Sequence, residues 1–500
     1  MANPQHPPPP HKRAVLNEPL IYERGSPGRI GYSLPQDDVP ARDLNTDLPP
    51  ELCRAALADF PEVSEGEVVR HFIRLSQWNL SAATTLYPLG SCTMKYNPVV
   101  NESMARLPGF AGLHPLAPED QVQGALMLLA DLERCLAEIS GMDAISLQPA
   151  AGAQGELAGM KLIRAYHQDR GSSRKKVLIP TSAHGTNPAS AALCGYDIVQ
   201  VATGQDGMLS AEEVAKCTDP DVAALMVTNP NTLGLFEREI LQITKTLHDQ
   251  GALVYMDGAN LNALMGVAKP GHMGADVIHF NLHKTFSTPH GGGGPGAGPI
   301  GVKTILEPYL PIPRLVQEND IYSWSEDYPQ SIGRVRSFYG NFGILVRAYA
   351  YILAMGGDGL TQATRMAILN ANYLRKRLES TYSLATPEPC MHECVFSDRS
   401  FQHTGVKTLD IAKRLLDYGF YAPTIYFPLV VSGALMIEPT ETETKETLDE
   451  FVDALLAIAR EIKDQPNLLK QAPFTTPVSR LDETRAARRP VLRWKGGGEK

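Results

Sequence analysis

Long apolar runs are missing from the 500 residues. The longest, such as Phe427–Ile437, fall well short of the roughly 20 residues a bilayer-spanning helix needs, so no membrane role is expected. Surplus positive charge is missing too. Lys and Arg number 46 against 55 Asp and Glu, a formal net charge of −9 that argues against a general nucleic-acid or anionic-membrane partner. Cysteine is scarce and odd in number, at seven. A chain of this length needs no disulfide framework, and scattered thiols fit a reducing compartment, so a cytoplasmic location is expected. Cys390 and Cys394 bracket His392, but no second ligand pair follows at zinc-like spacing, so no metal is expected. The N-terminus lacks an apolar signal core and an Arg/Ser-rich amphipathic pattern. Its four prolines, Pro7 to Pro10, predict an extended arm. Internal repeats are absent.

What is present is an ordinary globular composition, 43% hydrophobic and 20% charged, enough for a large core and two or more lobes. Residues 1–118 read as an arm with short helices: they are rich in Pro, Gly and Asp and carry no long amphipathic period. Such an arm is expected to wrap a partner subunit. From 119 to 340 helical and strand patterns alternate. The spacing predicts helices over Glu119–Ile139, Gln154–Arg170, Pro188–Cys194, Ala211–Cys217 and Glu239–Gln250. Between them lie short apolar runs, Val177–Ile179, Ile198–Ala202, Ala224–Thr228, Leu253–Met256, Val277–Phe280 and Ile300–Lys303. Runs without polar alternation are buried on both faces, which predicts a mostly parallel sheet in an α/β/α domain. Residues 341–470 predict a smaller α+β domain, with helices over Phe342–Met355, Met366–Ser380, Thr408–Tyr418 and Lys445–Lys463 and strands over Glu393–Phe396 and Ala434–Ile437. A basic tail, 471–500, closes the chain.

Two strand ends carry chemistry. Leu253–Met256 runs into Asp257, and Val277–Phe280 is followed closely by Lys284 and then by a glycine run from Gly291. An acid ending one buried strand and a lysine just past the next suit pyridoxal 5'-phosphate. The lysine amine attaches the cofactor, and the carboxylate holds the pyridine nitrogen protonated so that the ring accepts electrons. Three further segments converge on this reading. Gly152, Ala153 and Gln154 open a helix after a run of small residues, and free N–H groups at a helix start form an anion site for the phosphate. His184 follows a strand, where a flat ring can cover the cofactor. Thr228 and Asn231, at another strand end, offer polar contacts to the cofactor or substrate, although an Asn-Pro turn explains them equally well. His283, beside the lysine, is the natural further phosphate contact. The glycines from Gly291 to Gly296 match a dinucleotide pattern only trivially: no clear strand precedes them and Pro295 blocks a helix start, so they are read as room for the cofactor and a moving loop.

Longer motifs carry a resemblance. Leu86–Pro98 (LYPLGSCTMKYNP), Leu113–Gln121, Ala183–Ser190 (AHGTNPAS), Met256–Ala263 (MDGANLNA) and Asn281–Phe286 (NLHKTF) together resemble glycine dehydrogenase (decarboxylating), the P-protein family of the glycine cleavage system. The likeness runs from about Glu18 to Trp494. It implies a fold-type I PLP-dependent transferase and decarboxylation of glycine with release of CO2. The aminomethyl group then passes to the lipoyl arm of H-protein. Single-chain members carry two homologous halves, and this chain resembles only the second, so the resemblance also implies a separate subunit 1 and an α2β2 assembly. Lys284, Asp257, His184, His283 and the Gly152–Gln154 turn carry over onto the family pattern. Ala151 departs from it, where a small polar residue is expected. Arg334 and Asn97 are candidates for the glycine carboxylate, with ion-paired or solvated roles equally open. Another PLP-dependent lyase or aminotransferase, and a structural subunit, are the alternative readings. The loop around Cys92 is expected to lie near Lys284.

Overall fold

The computed structural model describes residues 18–53, 60–291 and 296–494. The proline-rich start and most of the glycine run beside Lys284 therefore lie outside the described residues. The chain divides into two compact units. One takes in the described residues up to Leu80, Leu416–Gly419 and those from Gln471 onward; the other takes in Ser81–Leu415 and Phe420–Lys470.

The larger unit is built on a seven-stranded sheet of β1 (Ala144–Ser146), β2 (Lys176–Pro180), β3 (Asp197–Val201), β4 (Val222–Thr228), β5 (Leu253–Gly258), β6 (Val277–Phe280) and β7 (Ile300–Val302), in the order β1-β7-β6-β5-β4-β2-β3. Strands β2 to β6 pair in parallel, while β7 runs antiparallel to both of its neighbours. Parallel neighbours need crossovers, which here include helices Thr186–Leu193, Ala211–Cys217 and Ile240–Asp249. The mostly parallel α/β sheet expected from the sequence is thus observed.

Strand periodicity sorts the sheet into two cores. On β5, Val254 and Met256 join one cluster while Leu253 and Tyr255 join the other. On β6, Ile278 and Phe280 take the first side and Val277 the second. Helix Gly152–Asp169 buries Ala158, Met160, Leu162 and Ile163 in that second cluster. Each such large apolar side chain stabilises the fold by about 1.5–3 kcal/mol when fully buried. The same alternation places Asp257 and His279, the next residues of matching parity, on the face this helix covers.

A hairpin of β8 (Arg314–Glu318) and β9 (Ile321–Ser325) follows. It was not foreseen, although its two-residue turn, Asn319-Asp320, has both residues at positive φ, the conformation such a turn demands. A second sheet, β10 (Ser383–Leu384), β11 (Cys394–Ser397), β12 (Thr424–Ile425) and β13 (Ala434–Ile437), has the order β10-β11-β13-β12 and is antiparallel throughout. Helix Lys445–Asp464 buries Leu448, Phe451, Val452, Leu455, Ile458 and Ile462 at three- and four-residue steps. The first two helices expected after residue 341 are observed, Phe342–Leu378 being divided into two at the non-helical Gly356. The second half starts at the kink because Leu360, Ala363, Thr364 and Ala367 are already buried.

The smaller unit contains a 14-residue helix, Glu65–Trp78, longer than the short helices expected there. Its start is fixed by a capping box in which Ser64 and Glu67 bond each other's backbone N–H. Glu18, buried, accepts from His71 at 2.8 Å and pairs with Arg24 at 2.7 Å. Tyr22 stacks on Trp494 at 5.1 Å.

Candidate active site

The ends of β4, β5 and β6, the loop after β2 and the start of helix Gly152–Asp169 converge on one cavity. It is lined by Gly152, Ala153, Glu156, His184, Thr228, Asp257, His279, His283 and Lys284, among others. Strand register brings them together, since Thr228 pairs with Asp257 and Asp257 with His279 across β4, β5 and β6.

Asp257 is 3% exposed. Its Oδ1 accepts the Ala259 N–H at 2.9 Å and lies 3.5 Å from His279 Nε2. The His279 ring is itself held on both sides. Nδ1 lies 2.5 Å from the Tyr255 hydroxyl, and Nε2 lies 2.9 Å from Asn281 Oδ1. Tyr255 is kept neutral by burial and donates, so Nδ1 accepts and Nε2–H points to Asn281 and Asp257. With its amide nitrogen turned inward, the orientation that satisfies every group, Asn187 donates to Asp257 Oδ2 at 3.2 Å and to Glu156 Oε2 at 3.1 Å. Burial, and then the Asp257 charge, push Glu156 up to about 9, so this second acid is protonated at neutral pH.

One turn before Glu156, its helix starts at Gly152 after Ala151, whose side chain makes no cap bond. First-turn N–H groups have no intrahelical partner and point outward from such a start. Gly152 is required by space: a Cβ there would stand 2.2 Å from Asn281 Nδ2. The Gln154 side chain is committed elsewhere, accepting from Ala150 N and donating to Val335 O, so only its backbone is free to serve the turn. Burial and the neighbouring His290 and Lys284 hold His283 down to about 3, leaving a neutral ring. His184 lies at the cavity with its Nδ1 2.9 Å from the Thr186 hydroxyl. The Thr228 hydroxyl is buried and has no hydrogen-bond partner among the described residues. Lys284 Nζ donates to the Ser91 carbonyl at 2.9 Å. The Cys92 loop therefore does lie beside the lysine.

Three sequence candidates lie elsewhere. Asn231 is absent from the cavity wall. Its amide bonds Gly207 O and Glu237 Oε1, and its oxygen accepts from Leu233 N and Leu235 N, so it folds its own turn. Arg334 pairs with Glu326 on the surface, and Asn97 bonds Lys95 O. Residues the sequence reading overlooked are Glu156, Asn187, Tyr255, His279 and Asn281. The available signal was a histidine inside the otherwise apolar β6.

This arrangement fits pyridoxal phosphate. It combines an amine, a buried carboxylate one strand away, an anion-ready helix start with a space that only glycine leaves open, and an orphaned hydroxyl on the next strand beyond the carboxylate.

Comparisons with known proteins agree with this geometry. Residues 34–320 match the family described as "Glycine cleavage system P-protein", and residues 363–474 match "Glycine dehydrogenase, C-terminal domain". A protein of Chlorobium chlorochromatii, "Probable glycine dehydrogenase (decarboxylating) subunit 2", is 58% identical over 95% of this chain and 99% of its own length. A protein of the same name from Caldanaerobacter subterraneus is 55% identical over 95% and 98%. Among solved structures, a glycine decarboxylase (P-protein) in inhibitor-bound form superposes with a TM-score of 0.70 at 21% identity, covering 83% of this chain and 94% of that one. A glutamate decarboxylase of Lactobacillus brevis superposes at 0.63 and 13% identity, covering 86% and 96%. At these identities the two structures establish the shared fold alone, the fold-type I architecture.

Proposed function

We propose, for a chain that belongs to the glycine cleavage system P-protein family, the pyridoxal-phosphate-dependent decarboxylation of glycine. The aminomethyl group passes to the lipoyl disulfide of H-protein, whose S–S bond is opened and reduced as carbon dioxide leaves. The observation that carries this reading is Lys284, on the wall of a cavity it shares with Asp257 at the end of the neighbouring strand.

Bound there, the cofactor supplies an aldehyde for covalent attachment and a ring that accepts the electron pair left by the departing carboxylate. The protein's part is positional and electrostatic. Lys284 is the attachment point. Asp257 would accept a hydrogen bond from the protonated ring nitrogen, while Ala259, Asn187 and His279 keep its carboxylate aimed. The N–H groups of Gly152, Ala153 and Gln154 bind the phosphate with His283 as a neutral partner. His184 would cover the ring, and the unpartnered Thr228 hydroxyl would be free to bond the cofactor. The chain acts as subunit 2 of a cytoplasmic α2β2 enzyme whose other subunit is the companion half.

Borohydride reduction followed by peptide mapping tests the attachment, and a pyridoxyl mass on Lys284 is expected. Mixed with subunit 1 and lipoylated H-protein, the chain should exchange labelled CO2 into glycine. A complete system without exchange, or a label on another residue, overturns the reading.

A further inference from the structure

A second set of buried acids lies under the Ser91 loop. Glu393 immediately precedes β11 and Glu438 immediately follows β13, and the antiparallel register, with Cys394 opposite Ile437, sets these two ends side by side. Both carboxyls are at most 1% exposed. The segment before Ser91 lies against the same strand end: Leu89 bridges Ile437, and Glu438 N donates to Pro88 O at 3.3 Å.

The loop is pinned at four points. The peptide joining Gly90 to Ser91 is held at both of its polar atoms, its oxygen by the Thr424 hydroxyl at 2.6 Å and its N–H by Glu393 Oε2 at 2.9 Å. The Thr93 hydroxyl donates to Glu438 Oε1. Two residues on, buried Lys95 pairs with Glu441 at 2.6 Å. Between these pins Ser91 takes φ +62, a left-handed conformation that is unfavourable for a non-glycine residue and persists only where surroundings enforce it. The enforced conformation directs the Ser91 carbonyl at Lys284 Nζ.

We propose that Glu393, with Glu438 beside it, is a positioning residue whose task is to fix the Ser91 carbonyl as the resting acceptor for the free amine of Lys284. The inference rests on the function proposed above, in which that amine is repeatedly attached and freed. A freed lysine side chain has four rotatable bonds, and a fixed acceptor confines it to the place from which it must act.

The chemistry of the acids suits positioning rather than charge. Burial pushes both carboxyls upward, joined at Glu393 by the neighbouring Glu438 and at Glu438 by Glu441, so that Glu438 rises to about 8. His392, between them, is held down to about 3. A protonated carboxyl still accepts a peptide N–H through its carbonyl oxygen, so an amide should replace it. A tetrahedral zinc site is set aside by size. His392 Nε2 stands 4.0 Å from each carboxylate, against ligand separations of about 3.4 Å for bonds near 2.1 Å.

The test compares Glu393→Gln, Glu393→Ala and Thr424→Val with the parent chain. In the cofactor-free protein, competitive acylation with peptide mass mapping reads the reactivity of Lys284 against surface lysines. Glu393→Ala should change Lys284 labelling severalfold, Thr424→Val less and in the same direction, and Glu393→Gln hardly at all. In the assembled enzyme Glu393→Ala should lower kcat about tenfold with KM nearly unchanged, the pattern of a lost transition-state arrangement, and Glu393→Gln should restore it. Unchanged labelling in both Glu393→Ala and Thr424→Val, each with normal melting, overturns the proposal. So does a Glu393→Gln variant as impaired as Glu393→Ala. Altered labelling in a system that never exchanges CO2 would leave the positioning intact and remove the proposed reaction instead.

Discussion

Two buried groups of one histidine and two carboxyls act on Lys284, and they are built differently. Asp257, Glu156 and His279 sit on the large sheet and the helix that covers it. Glu393, Glu438 and His392 sit at the joined ends of β11 and β13. In the first group the Asp257 carboxylate and both ring nitrogens have partners from Asn187, Ala259, Tyr255 and Asn281. In the second, both ring nitrogens of His392, one oxygen of Glu393 and one of Glu438 have no hydrogen-bond partner among the described residues. Fully bonded networks rigidify what they hold, whereas half-satisfied ones cost desolvation and persist where they do a local task. The first group is a fixed electrostatic surface for a ligand. The second spends its bonds on one loop.

Charge removal should break this symmetry most visibly. Asp257→Asn removes the negative partner of the ring nitrogen and should lower glycine-dependent CO2 exchange by about a thousandfold or more. Glu438→Gln removes a proton-bearing carboxyl and should stay within about tenfold of the parent. Exchange assays on the two assembled variants decide the matter, and equal losses would erase the distinction.

Space is the next contrast. Gly152→Ala places a Cβ 2.2 Å from Asn281 Nδ2, and Gly90→Ala places one 2.3 Å from Met436 Cγ. Overpacking of this kind costs about 1–3 kcal/mol. For Gly152→Ala the cost should fall on the cofactor, weakening its binding by about 10- to 100-fold in an absorbance titration. For Gly90→Ala it should appear in the melting temperature, with cofactor binding little changed.

A smaller effect separates the bonded cluster from its counterpart. Tyr255→Phe removes the donor to His279 Nδ1 and leaves a buried acceptor alone, at a cost of about 1–2 kcal/mol in denaturant unfolding. His392 has no such partner among the described residues, so no hydroxyl deletion strips a donor from that ring; the hydroxyl beside it, on Thr93, serves Glu438 instead.

How far the sequence carried follows from the same physics. Short apolar strands and three-to-four-residue helical steps are local patterns, and nearly every central element was placed within a few residues. Lys284, Asp257 and the Gly152 turn were legible because each sits at an element end whose chemistry is local. Glu156 and Asn187 were not, because their role depends on a helix packing across the sheet onto Asp257. Asn231 misled for the opposite reason: an Asn-Pro-Asn turn at a strand end resembles a ligand site, yet its side chain is consumed by its own turn. Glu393 and Glu438 lie 45 residues apart and meet only through strand register.

The last contrast concerns pH, and it sharpens the comparison because both groups contain a raised acid. Glu156 is pushed to about 9 and Glu438 to about 8, from an ordinary value of 4.5. Between 4.5 and those values the folded chain keeps protons that the unfolded chain has released. The folded state then binds more protons, so stability is greatest at low pH and falls as pH rises, by at most about 1.4 kcal/mol per pH unit for each acid. A glutamine has no proton to lose. Glu438→Gln should therefore flatten the decline up to about pH 8, and Glu156→Gln should flatten it up to about pH 9. Urea unfolding of the cofactor-free chain at half-unit intervals from pH 5 to 9.5 measures both slopes. An unaltered slope in Glu438→Gln would mean that this acid is ionised in the folded chain. The Ser91 loop would then rest on a charge, as the cavity rests on Asp257, and the two groups would be alike after all.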